Sequence, residues 1–403
     1  MRILTIGNMY PPHHMGGYEI VWQGAMREAR HRGHDVRVLT TSHREPGIEG
    51  EDDPDVHREL EWYWSWEKHE WRQLGPLERL HLERRNRELV SRHVSDFAPD
   101  LVSFWSMGAM SMSLVERVAR SRLPSVLVVH DDWLVYGPKR DAWMRLWSGR
   151  RRAAGMVAAP LVGIPTRLSW QRYERALFNS SFMLNRAREQ GYWLPNTAVV
   201  TPGIGGEFLD PAPEREWGWR MLCVGRIDEQ KGTDLAIAAL AELPAEATLT
   251  IAGTGDYAYE AELRAQIADL GLDGRVELAG HVGHDDLGGL YAAADAVLFP
   301  VRWEEPFGLV PLEAMGRGRP VVATARGGAS EYLRDGENAI VVPVDDPSAI
   351  AAAVRELAED ARLRDRLRGA GIETAAANTA ERFERRIVDE HERALAGDRV
   401  EAP

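Results

Sequence analysis

Cysteine is nearly missing from this 403-residue sequence, Cys223 being the only one. No disulfide can close within the chain, which suits a reducing compartment, and a lone cysteine in an apolar strand reads as a small core residue. Lysine is almost as scarce. Of 49 basic residues only Lys68, Lys139 and Lys231 are lysines, so arginine serves wherever a generic positive charge suffices. No apolar run approaches the ~20 residues that a membrane-spanning helix needs, and the one at residues 1–6 is too short for a signal peptide. The expectation is a cytoplasmic protein. A net charge of −13 and a pI near 5.5 argue against nucleic acid as the main partner. Internal repeats are lacking, and the only biased segment is the Ala/Glu/Arg-rich C-terminus.

What is present is an alternation of short apolar strands with helical patterns, long enough for two domains with separate cores. The first strand, at residues 2–6, runs into a loop bearing Gly7, Gly16 and Gly17. A helical pattern then starts near Tyr18 and stops at Gly33, and the next strand begins at Val36. Strand, glycine-bearing loop and helix make the opening unit of a doubly wound sheet, whose ligands sit at the carboxyl ends of strands. Further buried-strand patterns lie at 101–105, 125–129, 177–181 and 199–204. Residues 207–214 carry the proline and charge of an interdomain linker. A second series follows at 221–224, 249–252, 276–278, 296–299, 320–323 and 339–342. The spacing predicts an α/β protein with two parallel sheets, in domains 1–206 and 207–382.

The chain's chemistry concentrates in the second series. Residues 296–315 read as a buried strand, a loop with a carboxylate and a glycine, then a helix start. Glu305 lies just before the amides of Phe307, Gly308 and Leu309, and Glu313 about one helical turn beyond them. Gly308 lets a ligand approach the main chain, and amides at a helix start favour phosphate. Carboxylates repel phosphate, so both acids, if they act on a ligand, face neighbouring hydroxyls: a sugar on one side of a diphosphate and a ribose on the other. The plainer alternative makes Glu305 a solvated loop acid and Glu313 an ordinary first-turn acid.

The strand at Leu222 opens onto residues 225–232, where Arg226 can fork onto phosphate oxygens and Lys231 supplies a compact charge. In so lysine-poor a chain, Lys231 is not filler. Gly253 and Gly255 end another strand and open a path to the backbone. His281 and Val282 suit the reading of a base edge through main-chain groups.

In the first half, Gly16 and Gly17 either admit a phosphate or sugar or simply make a tight turn. His130 ends a strand, where such folds keep their chemistry, or is structural. Asp131 and Asp132 beside it are assigned to capping and hydrogen bonding, since no cluster at metal-site spacing accompanies them. The crowd of Trp62, Tyr63, Trp64, Trp66 and Trp71 either lines an acceptor groove or packs onto its own domain, the preferred reading. From Lys139 to Arg188 the charge turns positive, with Trp143, Trp147, Trp170 and Tyr173 interleaved. That stretch is either a surface for an anionic membrane or acceptor, or a solvated face pairing with the acidic segment before it.

Taken together, the motifs resemble the retaining nucleotide-sugar glycosyltransferases of GT-B architecture, glycosyltransferase family four. The resemblance rests on G-R-x4-K-G at 225–232, E-P-F-G-L-V-P-L-E-A-M at 305–315 and G-G-A-S-E at 327–331. Y-P-P-x3-G-G at 10–17 and His130 match less tightly. It implies two Rossmann-like domains facing across a cleft, with a C-terminal helix at about 383–397 returning to the first. Arg226, Lys231, Glu305 and His130 would be the catalytic residues. The donor diphosphate would lie between Arg226, Lys231 and the amides of 307–309, with Glu305 on the sugar hydroxyls and Glu313 on the ribose. Gly16 and Gly17 would close over the donor. The co-substrate would be a nucleotide sugar, with no metal or further cofactor, and the acceptor a carbohydrate, a lipid-linked glycan or a small molecule. Same-face attack and a covalent intermediate on a carboxylate both stay open. The rival readings are an epimerase or hydrolase of the same fold, and an inactive nucleotide-sugar-binding partner subunit.

Overall fold

The computed structural model describes residues 1–14, 16–45, 48, 53–65, 70–169 and 173–398, and only the backbone of 284 and 285. Trp66, Lys68, Trp170 and Arg172 lie outside the described residues. The chain forms two compact units, Met1–Thr201 with Phe383–Pro403, and Pro202–Arg382.

In the first unit, β1 (Arg2–Ile6), α1 (Gly17–His31), β2 (Asp35–Thr41) and β3 (Val56–Leu60) follow in turn. A short antiparallel pair, β4 (Trp64–Ser65) and β5 (Glu70–Trp71), precedes α2 (Pro76–Phe97). Then come β6 (Leu101–Phe104), α3 (Met112–Ser121), β7 (Ser125–Val129), α4 (Trp133–Arg140), α5 (Ala142–Leu146), α6 (Arg152–Val162), β8 (Arg175–Phe178), α7 (Ser181–Glu189) and β9 (Thr197–Val199). The seven-stranded sheet is parallel throughout, in the order β3-β2-β1-β6-β7-β8-β9. β6 and β7 are buried at every position, because helices cover both faces of such a sheet and no alternation is needed. Gly33, at φ +81°, lets the chain turn back after α1.

The aromatic insertion is used for packing. Trp62 and Tyr63 are buried, and Trp64 meets Trp71 edge-on across the β4–β5 pair at 6.1 Å. The basic stretch differs from a basic, aromatic face. Trp143 and Tyr173 turn into the core, with Trp143 Nε1 donating to the Pro165 carbonyl at 2.8 Å. Arg175 is buried against Glu390, and Arg186 pairs with Asp132 at 2.9 Å. Large aromatic surface is better removed from water than displayed, and the buried guanidinium is paired.

The second unit carries β10 (Arg220–Val224), α8 (Thr233–Ala241), β11 (Thr248–Ala252), α9 (Tyr257–Asp269), β12 (Val276–Gly280), α10 (His284–Ala293) and β13 (Ala296–Phe299). It continues with α11 (Val310–Gly316), β14 (Val321–Ala323), β15 (Ile340–Val341), α12 (Pro347–Glu359) and α13 (Ala361–Ala377). The last helix, α14 (Ala380–Ala396), belongs to the first unit from Phe383 onward. Six parallel strands take the order β12-β11-β10-β13-β14-β15. Each sheet therefore reverses its strand order beside its first strand, at β1/β6 and at β10/β13. Open sheets of this kind bind ligands at that reversal, beyond the strands' carboxyl ends.

Residues 207–214, expected to be a linker, dock on the second unit. Phe208 is fully buried against Tyr291, and the Ala212 amide bonds to the Arg317 carbonyl. Among the described residues no helix is long and apolar enough to cross a membrane.

Candidate functional site

The second sheet's reversal point brings together the loops that follow β10 and β13. Gly232 sits where a side chain would strike the Pro300 carbonyl at 2.1 Å, so its glycine lets the two loops touch. Arg302 staples them, reaching both Asp234 oxygens at 2.6 and 2.7 Å and the Glu229 carbonyl at 3.0 Å. Burial would raise Asp234, but the hydrogen bonds from Arg302 and Tyr259 outweigh it and hold the carboxyl below its ordinary value. On this frame Lys231 Nζ meets Glu305 Oε2 at 2.8 Å, with the two side chains only 18% and 12% exposed. Trp303 Nε1 donates to the same oxygen at 2.6 Å, and the ammonium lies 5.1 Å from the Trp303 ring centroid.

Arg226 and Lys231 line one hollow with Gly225, Thr233, Phe299 and Pro300. The Arg226 side chain is mostly exposed and lies 3.3 Å from Asp228. Glu313 is buried on α11 and accepts from the Tyr291 hydroxyl at 2.6 Å. The charges of Glu305 and Glu313 both reach Tyr332, which burial first and these acids second push well above the ordinary phenol range. Tyr332 is thus a neutral donor, and its hydroxyl binds the Gly308 carbonyl at 2.5 Å. In a planar trans peptide the amide points opposite its carbonyl, so the Leu309 N–H is aimed away from Tyr332. Gly308 itself adopts φ +87°, and Phe307 packs on Tyr332 at 5.3 Å. Helix α11 is seven residues long and starts directly after Leu309.

The glycines divide by cause. A side chain at Gly253 would lie 1.9 Å from the Gly225 carbonyl, and one at Gly255 would lie 1.8 Å from that of Ile227. Close passage of neighbouring backbone therefore accounts for both, independently of any ligand. Gly225, at φ +139°, has nothing within 4 Å of that position, as does Gly16. His281 is exposed and Val282 partly so, in the loop that follows β12.

In the first unit, Gly16 caps α1, its amide donating to Glu19 at 3.2 Å, and Gly17 opens the helix. His130 follows β7 in a box of aromatic rings: stacked on Tyr18 at 4.8 Å, edge-on to Phe383 at 5.4 Å, tilted to Trp105 at 6.0 Å. Burial pushes its pKa down to about 3. The imidazole is neutral at physiological pH, a hydrogen-bonding group and a poor proton acceptor, which narrows the role expected of it. Asp131 accepts from the Trp133 amide and the Tyr136 hydroxyl, both at 3.2 Å, while burial raises it to about 6. A cavity of about 920 Å³ lies among α2, α3, α6 and residues 163–169.

The Glycosyl transferases group 1 family matches residues 210–374, and the Glycosyl transferase 4-like domain matches residues 16–203. Rhizobium meliloti LpsE, a lipopolysaccharide core biosynthesis glycosyltransferase, is 36% identical over 270 residues, covering 64% of this chain and 73% of LpsE. The chain belongs to the group 1 glycosyl transferases, glycosyltransferase family four. LpsB of the same organism, a lipopolysaccharide core biosynthesis mannosyltransferase, is 36% identical over 221 residues, 50% of this chain and 60% of LpsB. Several curated relatives are matched over less than half their length, such as the Nocardioides D-inositol 3-phosphate glycosyltransferase at 42%. The crystal structure of Anabaena HepE in complex with UDP superposes with a TM-score of 0.70 at 21% identity, over 97% of this chain and 99% of HepE. That likeness establishes the GT-B fold.

Within this member of family four, sequence reasoning passed over the Arg302–Asp234 staple, Trp303, Tyr291 and Tyr332. Trp303 adjoins the recognised motif, so proximity alone marks it. The others are common residue types whose value lies in what they touch, and no spacing signals that.

Proposed function

We propose that this glycosyltransferase moves a hexose from a nucleoside-diphosphate sugar to an acceptor hydroxyl with retention. Lys231 and Arg226 take up the charge of the departing diphosphate. The observation that carries the reading is the Lys231–Glu305 pair, held against Trp303 at the second sheet's reversal point. The slow event is rupture of the bond between the anomeric carbon and the phosphate oxygen, which throws negative charge onto the diphosphate. An ammonium already fixed in a largely water-excluded place meets that charge without reorganising, so it acts most strongly in the transition state. Arg226, exposed and loosely tied to Asp228, is free to fork onto phosphate oxygens as the donor arrives. The open Gly225 allows the diphosphate close to the main chain, and the Leu309 amide adds a donor. With one cation fixed and a second able to fork onto the phosphates, this step does not require a divalent metal.

Glu305 faces the sugar hydroxyls, and Glu313, oriented by Tyr291, takes the ribose. Glu305 Oε2 already holds Lys231 and Trp303, which makes it a weak nucleophile and favours same-face attack with a phosphate oxygen receiving the acceptor's proton. HepE was solved with UDP, so UDP-sugars are the first donors to try, with nucleotide-activated mannose beside them because LpsB is a mannosyltransferase. Lipopolysaccharide core biosynthesis, named for LpsB and LpsE, supports a glycolipid or oligosaccharide acceptor.

A surface feature favours work at a membrane. Met156, Val157 and Leu161 on α6 are 53%, 65% and 80% exposed, and Arg150, Arg151 and Arg152 stand at its start. Apolar side chains beside clustered arginine suit the headgroup layer of an anionic bilayer.

The test is incubation with a panel of nucleotide sugars, with and without candidate acceptors, read by nucleotide release and mass spectrometry. Acceptor-dependent release with a new glycoside supports transfer. Conversion without acceptor would instead make the protein an epimerase or hydrolase, and binding without turnover a partner subunit.

A further inference from the structure

One cluster in the first unit plays no part in the transfer chemistry. His57 and Glu59 stand two apart on the edge strand β3, whose register against β2 skips Glu59. His93 lies on the buried stripe of α2 that also carries Leu82, Asn86 and Val90. Packing of α2 against the sheet brings His93 to this pair from 34 residues beyond Glu59, which is why no motif announced the three. His93 Nε2 is 3.4 Å and His57 Nδ1 is 3.6 Å from the same oxygen, Glu59 Oε1. One ligand atom from each residue lies within 4.8 Å of the others. The imidazole rings meet edge-on with centroids 4.7 Å apart.

His93 is 4% exposed, yet neither of its ring nitrogens has a hydrogen-bond partner among the described residues. A neutral imidazole carries one donor and one acceptor, and burying both unsatisfied is costly unless something else fills the position. We propose that His57, Glu59 and His93 bind a divalent transition ion of the zinc type, which pins the edge strand β3 to α2.

The donor set fits that class. A tetrahedral zinc with bonds near 2.0–2.1 Å spaces its ligand atoms roughly 3.3 Å apart, and two of the three separations are already close to this. Two imidazoles and one carboxylate select zinc, nickel or copper over magnesium or calcium, which depend on oxygen ligands. Arg92 engages Glu59 through the other oxygen, Oε2, which orients the carboxylate and leaves Oε1 turned to the histidines. Burial first, then His57, lowers the pKa of His93 against the upward pull of Glu59, and the neutral ring is the form that ligates. Arg37 and Arg92 nearby act in the same direction and weaken the site for ions that bind by charge alone. The three-residue set leaves a fourth position for water. The inference is independent of the proposed transfer reaction, whose diphosphate-binding residues are in the second unit.

The experiment takes the full, tag-free chain, strips it with EDTA, desalts it and titrates it with ZnCl2 by calorimetry. Thermal melts are run alongside, and Co2+ is substituted for its visible absorption. Expected are one ion per chain at micromolar Kd or tighter, a rise in Tm, and the intense bands of four-coordinate cobalt. His93→Gln and His57→Gln should each weaken binding at least ~10-fold, the scale on which metal sites respond to altered surroundings. His57 is partly exposed on an edge strand, so H57Q remains a usable variant even where H93Q fails to fold. No binding by the folded wild type would overturn the proposal. So would undiminished binding by H57Q, since the ion would then sit on other histidines.

Discussion

Replacing Lys231 by alanine removes the ammonium that the proposed mechanism sets against the leaving diphosphate. Two losses must be kept apart. The first is stability. Fully exposed ion pairs contribute about 0–1 kcal/mol and fully buried ones cost about 3–5 kcal/mol when one partner is removed. Lys231 and Glu305 are 18% and 12% exposed, which puts the loss between those limits, at about 1–3 kcal/mol. Glu305 keeps its bond from Trp303 Nε1, so its carboxylate is not left bare. A loss of that size leaves a domain of this length folded at 25 °C. The second loss is catalytic. Taking one preformed donor from a developing oxyanion costs about 10²–10³ in kcat, or about 2.7–4 kcal/mol. The assay is nucleotide release at saturating donor and acceptor, giving kcat and KM, beside a thermal melt of the same sample. The expected result is a kcat reduced at least ~10²-fold in a cooperatively folded protein, with Lys231→Arg recovering part of it. A folded Lys231→Ala enzyme turning over within about threefold of wild type would refute the reasoning, since charge stabilisation on the scale argued cannot vanish so cheaply.

Gly253→Ala should destabilise the second unit by about 2–6 kcal/mol, combining collision with the Gly225 carbonyl and strain at φ +146°. Gly225→Ala, strained but unobstructed, should cost only about 1–3 kcal/mol while weakening donor binding. Calorimetric melts of the two variants decide whether this order holds. Tyr291→Phe leaves Glu313 without its 2.6 Å hydroxyl partner, and KM for the donor should rise more than kcat falls; the reverse pattern would count against Glu313 as the ribose ligand. His391, fully buried on α14 and 2.9 Å from the Ser103 hydroxyl, has its pKa pushed down to about 3 by burial first and His34 second. Its contribution to stability is complete above about pH 6.5 and is lost as pH falls toward 3, because the unfolded chain takes a proton that the folded one refuses. Urea melts from pH 7 to pH 4 should therefore fall more steeply for wild type than for His391→Asn, by up to about 1.4 kcal/mol per pH unit, and parallel curves would contradict the assignment. Buried acids with raised pKa, such as Asp131, oppose this trend in both proteins and cancel in the difference. Val157→Ser with Leu161→Ser should abolish salt-sensitive sedimentation with anionic vesicles; vesicles that never bind the wild type would dispose of the membrane contact.

Strands and helices were legible because they are local. Continuous apolar runs such as that of β13, bounded by glycine loops, state a buried parallel strand wherever they occur, and the structure has each of the six expected strands of the second sheet within about two residues. Lys231 and Glu305 were legible for another reason: each lies in a loop directly after a strand, so chain order alone delivers both to the same end of the sheet. Their meeting at 2.8 Å was not written there, nor was the Arg302 staple that holds the loops together.

The basic segment shows the limit from the other side. Charge and aromatic content predict a surface face, but composition cannot say which way Trp143 points, and the core claims it. Gly253 and Gly255 are a parallel case, since a missing side chain signals close approach without naming what approaches. The sequence by itself determined the α/β alternation, the family and the loops that carry charge, because these depend on patterns spanning a few residues. Tertiary structure alone decided that His130 is neutral in an aromatic box, that Tyr332 turns the Gly308 peptide, and that His57, Glu59 and His93 converge. Each of those depends on burial or contact between residues far apart in the chain, and both come into being only when helices close over a sheet.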